Sequence, residues 1–255
     1  MKTSLAKKWK DELAAVARHE KVAILSSFFK TGPGEYGEGD VFIGVSVPDN
    51  RGVARKFYDA DYEVISEMLD SPVHEHRLSG FLALTIKYKK AKTSDEKEQI
   101  IKFYLGNTHK CNNWDLVDLS AEYLLGEEIL DNRHIDDLEK LSASPLLWHR
   151  RIAVVSNLTA VRKGKIEIAL DQCKRHLTDS ESLMQKAVGW VLREIGKKDV
   201  EVLRKFIDTH LAEISATTLS YATERFDKTE RKKLQTARKT ARNKYLRKRQ
   251  GSRFG

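Results

Sequence analysis

Two tryptophans, an aspartate and an arginine occur at spacings that place them in pairs on helix faces. Trp114 and Asp118 are four positions apart, and Trp190 and Arg193 are three positions apart. Residues at these separations share one face of an α-helix. An aromatic ring attracts cations, a guanidinium group binds phosphate, and a carboxylate stabilises a developing positive charge. The combination predicts a site for a cationic group that belongs to a phosphate-rich partner.

The composition favours a mostly helical protein. The 255 residues include only four prolines, and 40% of them are hydrophobic, so helix breakers are rare and a substantial core can form. No apolar run is long enough to span a bilayer, and the first residues lack the apolar centre of a signal peptide. Cys111 and Cys173 fit no disulfide framework or metal motif, which favours reduced thiols. We therefore expect a cytoplasmic protein.

The positive charge is concentrated at the C-terminal end. The chain has 46 Lys and Arg and 37 Asp and Glu, for a net charge of +9. Residues 228–255 contain twelve basic residues and one acid, so they carry +11 and the remainder carries −2. Such a segment can bind phosphates without sequence preference, although its composition is equally typical of a solvated or disordered end. A nucleic-acid surface on the remainder must come from local clustering of basic residues.

Helical segments recur along the chain after about residue 61. Arg77, Arg151 and Lys186 each follow a Ser or Asp cap by six or seven positions, and the segment that begins at Trp114 lies midway between the first two. The period is roughly 35–38 positions, close to the ~40 residues of a two-helix HEAT-like repeat. Stacked repeats of this kind curve, and their inner helices line a concave face. We predict an all-α fold, a HEAT-like repeat α-solenoid with a concave DNA-binding face.

The periodicity also predicts individual elements and a domain division. We expect a loop at 31–40, an extended connector at 41–47, and a single repeat domain over 1–227, followed by a helical or disordered basic tail at 228–255. Helices are predicted at 4–18 and 21–30, from residues 48, 71, 144 and 178 onward, and at 94–104, 133–141, 164–176 and 200–210.

Three separated segments of the sequence resemble the AlkD-like DNA alkylation-repair glycosylases. They are WDLVD at 114–118, WHRRIAV at 148–154 and QKAVGWVLRE at 185–194, and the connector FIGVSVP at 42–48 is also similar to that family's N-terminal segment. The resemblance covers roughly residues 5–225 and leaves out the basic tail. It implies HEAT-like repeats and removal of alkylated purines, such as 3-methyladenine and 7-methylguanine, from double-stranded DNA.

The resemblance also implies roles for individual residues. Asp118 matches the catalytic carboxylate, and Trp114 and Trp190 match aromatic residues that border the lesion nucleotide. Arg151 and Arg193 match arginines that hold the DNA backbone. Two neighbouring cations, Arg150 and Lys186, are further candidates for contacts to DNA.

Removal of an alkylated purine requires little from the protein. A ring-alkylated purine is already cationic and leaves as a neutral base, while the sugar becomes an oxocarbenium-like cation. One carboxylate can stabilise that cation and orient water, so no second carboxyl group is needed. We predict no cofactor and no metal, because His74, His76 and His149 lack companions at metal-ligand spacing. A monomer that associates with the nucleoid when bound to DNA follows from this hypothesis.

Other interpretations of the same residues stay open. Trp190 lies in a segment suited to core packing, Asp118 could be an ordinary surface acid, and Arg151 and Arg193 could form ion pairs, with Glu194 as one partner. The alternative function is a non-catalytic HEAT-repeat protein that binds damaged or branched DNA. A solenoid that binds proteins is a third hypothesis.

Overall fold

The computed structural model describes residues 4–251, with side chains through Arg247. It is 68% helical, and the described residues form no named strand. The all-α fold class predicted from the sequence is thus confirmed, and the helix content agrees with an α-solenoid. The chain divides into two compact units, residues 1–125 and 126–255. The division into 1–227 and 228–255 and the concave face stay predictions.

Unit 1 contains seven α-helices among its described residues. They are α1 (Leu5–Ala15), α2 (Val22–Phe28), α3 (Val47–Ala54), α4 (Tyr62–Leu69), α5 (His74–Lys90), α6 (Ser94–Gly106) and α7 (Trp114–Asp118). Residues 42–46 form the predicted extended connector, and a single parallel bridge joins Val41 to Val73.

Unit 2 continues with helices in both long and short segments. They are α8 (Leu125–Leu130, which starts on the unit boundary), α9 (Ile135–Ser142), α10 (Leu147–Ser156), α11 (Leu158–Arg162), α12 (Glu167–Arg175), α13 (Ser182–Lys198), α14 (Val200–Thr209), α15 (Ala216–Ala222) and α16 (Lys228–Gly251). No helix in the described part of the chain is long and apolar enough to cross a membrane.

Polar side chains define where several helices begin. Ser4 accepts a hydrogen bond from the Lys7 amide at the start of α1, and Ser46 caps α3 in the same way. Thr93 and Glu96 form a reciprocal capping box at α6. These side chains satisfy amide groups that have no partner within the helix.

Each unit has its own buried core. In unit 1, Trp9 is fully buried, stacks on Phe57 at 5.1 Å and donates from its indole nitrogen to Ser79 at 2.9 Å. In unit 2, α13 and α15 approach so closely that a Cβ built on Gly189 would lie 2.5 Å from the Cβ of Tyr221. Glycine at position 189 is therefore what permits this helix contact.

Candidate functional site

An apolar cleft of about 440 Å³ opens in unit 1. Trp114 and Asp118, the two predicted site residues of this unit, both line it. The remaining walls come from α2 and its flanking residues, the connector, the start of α3, α5 and the end of α7. Their lining residues are Lys21, Leu25, Phe28, Phe29, Phe42, Val45, Ser46, Val47, Pro48, His74, Glu75, Leu78, Asp115 and Leu119. The cleft thus places a half-buried carboxylate among aromatic and aliphatic side chains.

Helix α7 holds Trp114 and Asp118 and is only five residues long. Asn113 accepts from the Trp114 amide at 2.9 Å and donates to the Phe29 carbonyl at 3.3 Å, which fixes the start of the helix. Leu116 and Val117 are fully buried. Because this apolar side of the helix faces the core, Trp114 and Asp118 are directed together to the cleft.

A series of stacked rings runs from Trp114 into the protein. Trp114 stacks on Phe29 with 5.1 Å between the ring centroids, and Phe29 stacks on Phe42 at the same centroid distance. Phe42 in turn stacks on the imidazole of His74, with 4.5 Å between the ring centroids. The exposed ring of Phe28 meets Trp114 edge-on at 5.7 Å. Phe29 and Phe42 are already engaged in this stacking, so any attraction of a cation in the cleft comes from the half-buried ring of Trp114 and the exposed ring of Phe28.

His74 is buried between two carboxylates at the base of this series. Its Nε2 lies 2.8 Å from Asp115 Oδ2, and its Nδ1 lies 3.1 Å from Asp40 Oδ2. Burial disfavours the imidazolium, but Asp115 and Asp40 outweigh burial and raise the pKa of His74 to about 9. His74 is therefore a cation near neutral pH and ties α7 to α5 through Asp115.

Arg77 completes the charge balance of this buried cluster. Its guanidinium donates to Asp40 Oδ1 at 2.6 Å, to Asn112 at 3.0 Å and to the Ser71 carbonyl at 2.8 Å. With His74 protonated, two carboxylates face two cations, as buried charges require. The Arg77 side chain is only 7% exposed and is held within unit 1 by these contacts.

The connector wall is held by a single carboxylate. Buried Glu75 accepts hydrogen bonds from the amides of Ile43 at 3.1 Å, Gly44 at 2.8 Å and Val45 at 3.2 Å. Gly44 has φ +92°, and a Cβ there would lie 2.1 Å from the Arg18 carbonyl oxygen. Glycine is required by both the backbone conformation and the space.

The predicted DNA contacts Arg150 and Arg151 lie on α10 of unit 2. Arg150 pairs with Asp179 at 2.8 Å and donates to the Pro145 carbonyl at 2.7 Å. Arg151 is 5% exposed and donates to the Leu183 carbonyl at 2.6 Å. Both guanidinium groups therefore have protein partners in this state.

Lys186, Trp190 and Arg193 lie on α13 of the same unit, and all three side chains are half-buried. Arg193 forms an ion pair with Glu224, and its Nε lies 3.6 Å from Glu194. The alternative that Arg193 forms ion pairs is thus confirmed. The structure brings Trp114 and Asp118 to one cleft and Lys186, Trp190 and Arg193 to one helix.

The sequence interpretation missed the buried cluster behind α7. The sequence predicts a loop at 31–40 and no companion for His74 at metal-ligand spacing, yet Asp40 of that loop binds both His74 and Arg77. No local spacing could reveal it, because Asp40 and Asp115 lie 34 and 41 positions from His74. No group of three or more metal-ligating side chains occurs among residues 4–251.

Fold and site together define an all-helical protein with a carboxylate in an aromatic, cation-favouring cleft. A family model described as a DNA alkylation repair enzyme matches residues 9–226. The chain therefore belongs to the DNA alkylation repair enzyme family.

A comparison with solved structures agrees with this fold. The chain is similar to a structure titled "Predicted DNA alkylation repair enzyme from Enterococcus faecalis", with a TM-score of 0.62 and 16% sequence identity, over 83% of this chain and 97% of the other. At this identity the similarity shows a shared fold. No curated protein is similar to the chain at a significant level.

Proposed function

We propose that this family member is a monofunctional DNA glycosylase. It hydrolyses the N-glycosidic bond of cationic alkylated purines, of the 3-methyladenine and 7-methylguanine type, in duplex DNA and so starts base excision repair. The observation that carries the proposal is the half-buried Asp118 on the wall of an aromatic cleft, beside Trp114. A DNA alkylation repair family supplies the class of partner.

Asp118 acts on the sugar rather than on the base. As the bond to the alkylated purine lengthens, positive charge moves from the base to the deoxyribose. A carboxylate next to the anomeric carbon stabilises that charge more than it stabilises the ground state, which lowers the barrier. The base departs neutral, so no general acid is needed, and Asp118 then orients the water that attacks the sugar.

The aromatic walls select for positive charge. Trp114 presents an indole face that favours a cationic base or sugar over a neutral one, by about 0.5–2 kcal/mol for a partly desolvated contact. We predict the same role for Trp190, the half-buried indole on α13. Ordinary purines are neutral and gain none of this stabilisation, which favours damaged nucleotides.

Four basic residues of unit 2 are the proposed contacts to the DNA phosphates. They are Arg150, Arg151, Lys186 and Arg193. A guanidinium group can bind a phosphate through two parallel N–H···O bonds, and a lysine ammonium binds it as a point charge. Lys186→Gln is the cleanest test among them, because neutralising the buried Arg151 would also remove its bond to Leu183.

The central experiment compares wild type with Asp118→Asn on duplex DNA that contains 7-methylguanine. Asparagine keeps the size of the side chain and removes its charge, so we expect excision to fall by about 100-fold or more with little change in duplex binding. Asp11→Asn is the matched control, because Asp11 is an exposed acid on α1 of the same unit. Its excision rate should equal that of wild type.

The same experiment separates the alternatives. Equal excision by wild type and Asp118→Asn would overturn the role of Asp118. Tight duplex binding by wild type without any base release would favour a non-catalytic binder of damaged DNA. Weak DNA binding at physiological salt would instead favour a protein-binding role.

A further inference from the structure

We propose that α16 is a second DNA-binding surface, which grips the sugar–phosphate backbone of undamaged duplex independently of the lesion site. The proposal rests on DNA as the partner in the proposed function, but not on the reaction. It assigns a role to the basic segment that lies outside the family match, which ends at residue 226.

One face of α16 attaches the helix to unit 2. Half-buried side chains recur every three or four positions, at Arg231, Leu234, Gln235, Arg238 and Ala241. Gln235 donates to the Ala216 carbonyl at 3.1 Å, and Arg238 donates to the Ile214 carbonyl at 3.4 Å. The first half of the helix is therefore fixed in direction by contacts to the segment around α15.

The other face is basic and exposed. Every residue from 242 to 247 is exposed, so the helix here has no packed side. Residues 231–247 include no acid and span about 24 Å at 1.5 Å per residue. The exposed cations of residues 231–247 are Lys232, Lys233, Lys239, Arg242, Lys244 and Arg247.

The charge of α16 lacks compensation within the described part of the chain. The one acid of the helix, Glu230, is already paired with Arg204. No ion pair joins a Lys or Arg of residues 231–247 to a carboxylate of the described residues. Burial and the nearby charge of Arg242 both lower the pKa of Arg238, which shows the repulsion between like charges four positions apart. A polyanion would relieve that repulsion.

Duplex DNA fits this surface better than a membrane does. DNA carries one negative charge per ~1.7 Å of its axis and releases counterions when cations replace them. A helix that lies on a membrane needs a broad apolar face opposite its cations. Here the exposed large apolar side chains are limited to Tyr245 and Leu246 within the described part of α16.

The test is the salt dependence of binding to an undamaged duplex. The variant replaces Lys232, Lys239, Lys244 and Arg247 with Gln. Each lost phosphate contact reduces the magnitude of the slope of log K against log salt by about 0.9, so we expect the loss of four contacts to reduce that magnitude by about 3.6. We also expect affinity at physiological salt to fall about tenfold or more, while the excision rate at saturating enzyme stays unchanged.

The control removes the same charge elsewhere in unit 2. It replaces four exposed lysines with Gln: Lys163, Lys174, Lys198 and Lys205. Its salt slope and affinity should match those of wild type. Circular dichroism checks that both variants keep their helix content, so a loss of binding cannot be attributed to unfolding.

Three results would overturn the proposal. The first is an unchanged slope in the α16 variant, and the second is an equal loss of slope and affinity in the control. The third is a variant that loses binding to phosphatidylserine vesicles and keeps duplex binding intact, which would assign the helix to a membrane. Failure of the proposed function looks different, since Asp118→Asn would then excise normally while the α16 variant still lost affinity for the duplex.

Discussion

Replacement of His74 with Gln should make stability depend less on pH. His74 is buried, and two carboxylates raise its pKa from 6.5 to about 9. At 1.36 kcal/mol for each tenfold change in proton affinity, the protonated form contributes roughly 3 kcal/mol to folding. Because the folded pKa is the higher one, this contribution is complete below pH 6.5 and is lost as the pH rises through 9.

The assay is urea unfolding of wild type and His74→Gln at pH 6.5, 8 and 10. The destabilisation caused by the substitution should be larger at pH 6.5 than at pH 10 by about 3 kcal/mol. Other groups that titrate in this range do so in both proteins, so they cancel from the difference. His19→Gln is the control, because His19 is exposed at the start of a 3₁₀ turn in the same unit.

Two measurements decide whether His74 is held as a cation. A His74→Gln destabilisation that is the same at all three pH values would show that His74 is not held as a cation. An NMR titration that puts the imidazole pKa near 6.5 would show the same. Since Asp115 joins His74 to α7, we also expect the variant to excise more slowly at saturating enzyme, with a smaller effect on duplex binding.

Three further substitutions test the packing around the cleft and in unit 2. Gly189→Ala should lower the free energy of unfolding by about 1–3 kcal/mol in urea titrations, because its Cβ would overlap Tyr221. Gly44→Ala should lower the melting temperature more than Gly34→Ala: both have positive φ, but only the Cβ at 44 meets another atom. Trp114→Leu should reduce 7-methylguanine excision about tenfold, measured at saturating enzyme, because one indole face is lost; an unchanged rate would remove Trp114 from the site.

Much of the helical architecture could be predicted from local sequence signals. The proline signal at Pro48 predicted a helix from residue 48, and α3 runs from Val47 to Ala54 with Ser46 as its cap. The 94–104 prediction matches α6, which runs from Ser94 to Gly106. Within the connector predicted at 41–47, residues 42–46 are extended chain, whereas Val41 makes a single bridge to Val73 and Val47 begins α3. These features depend on short-range hydrogen bonds and on backbone preferences, which the sequence carries within a few residues.

The site was only partly accessible from the sequence. The four-residue spacing of Trp114 and Asp118 correctly placed both on one helix and one cleft wall. The aromatic series that includes Phe29 and Phe42, and the pairs formed by His74, depend on contacts between distant positions. Tertiary packing decides such contacts, so periodicity and spacing contain no information about them.

The three amides bound by Glu75 have a consequence for how this protein could diversify. Because the Glu75 carboxylate accepts hydrogen bonds from three consecutive amides, it fixes the length of the connector. An inserted residue would displace at least one of these amides from the carboxylate. Under the proposed function, adaptation to larger or smaller adducts is expected to use another part of the cleft wall, to which Leu25 and Phe28 of α2 contribute. Directed evolution of lesion preference should therefore begin at those two positions and leave the connector unchanged.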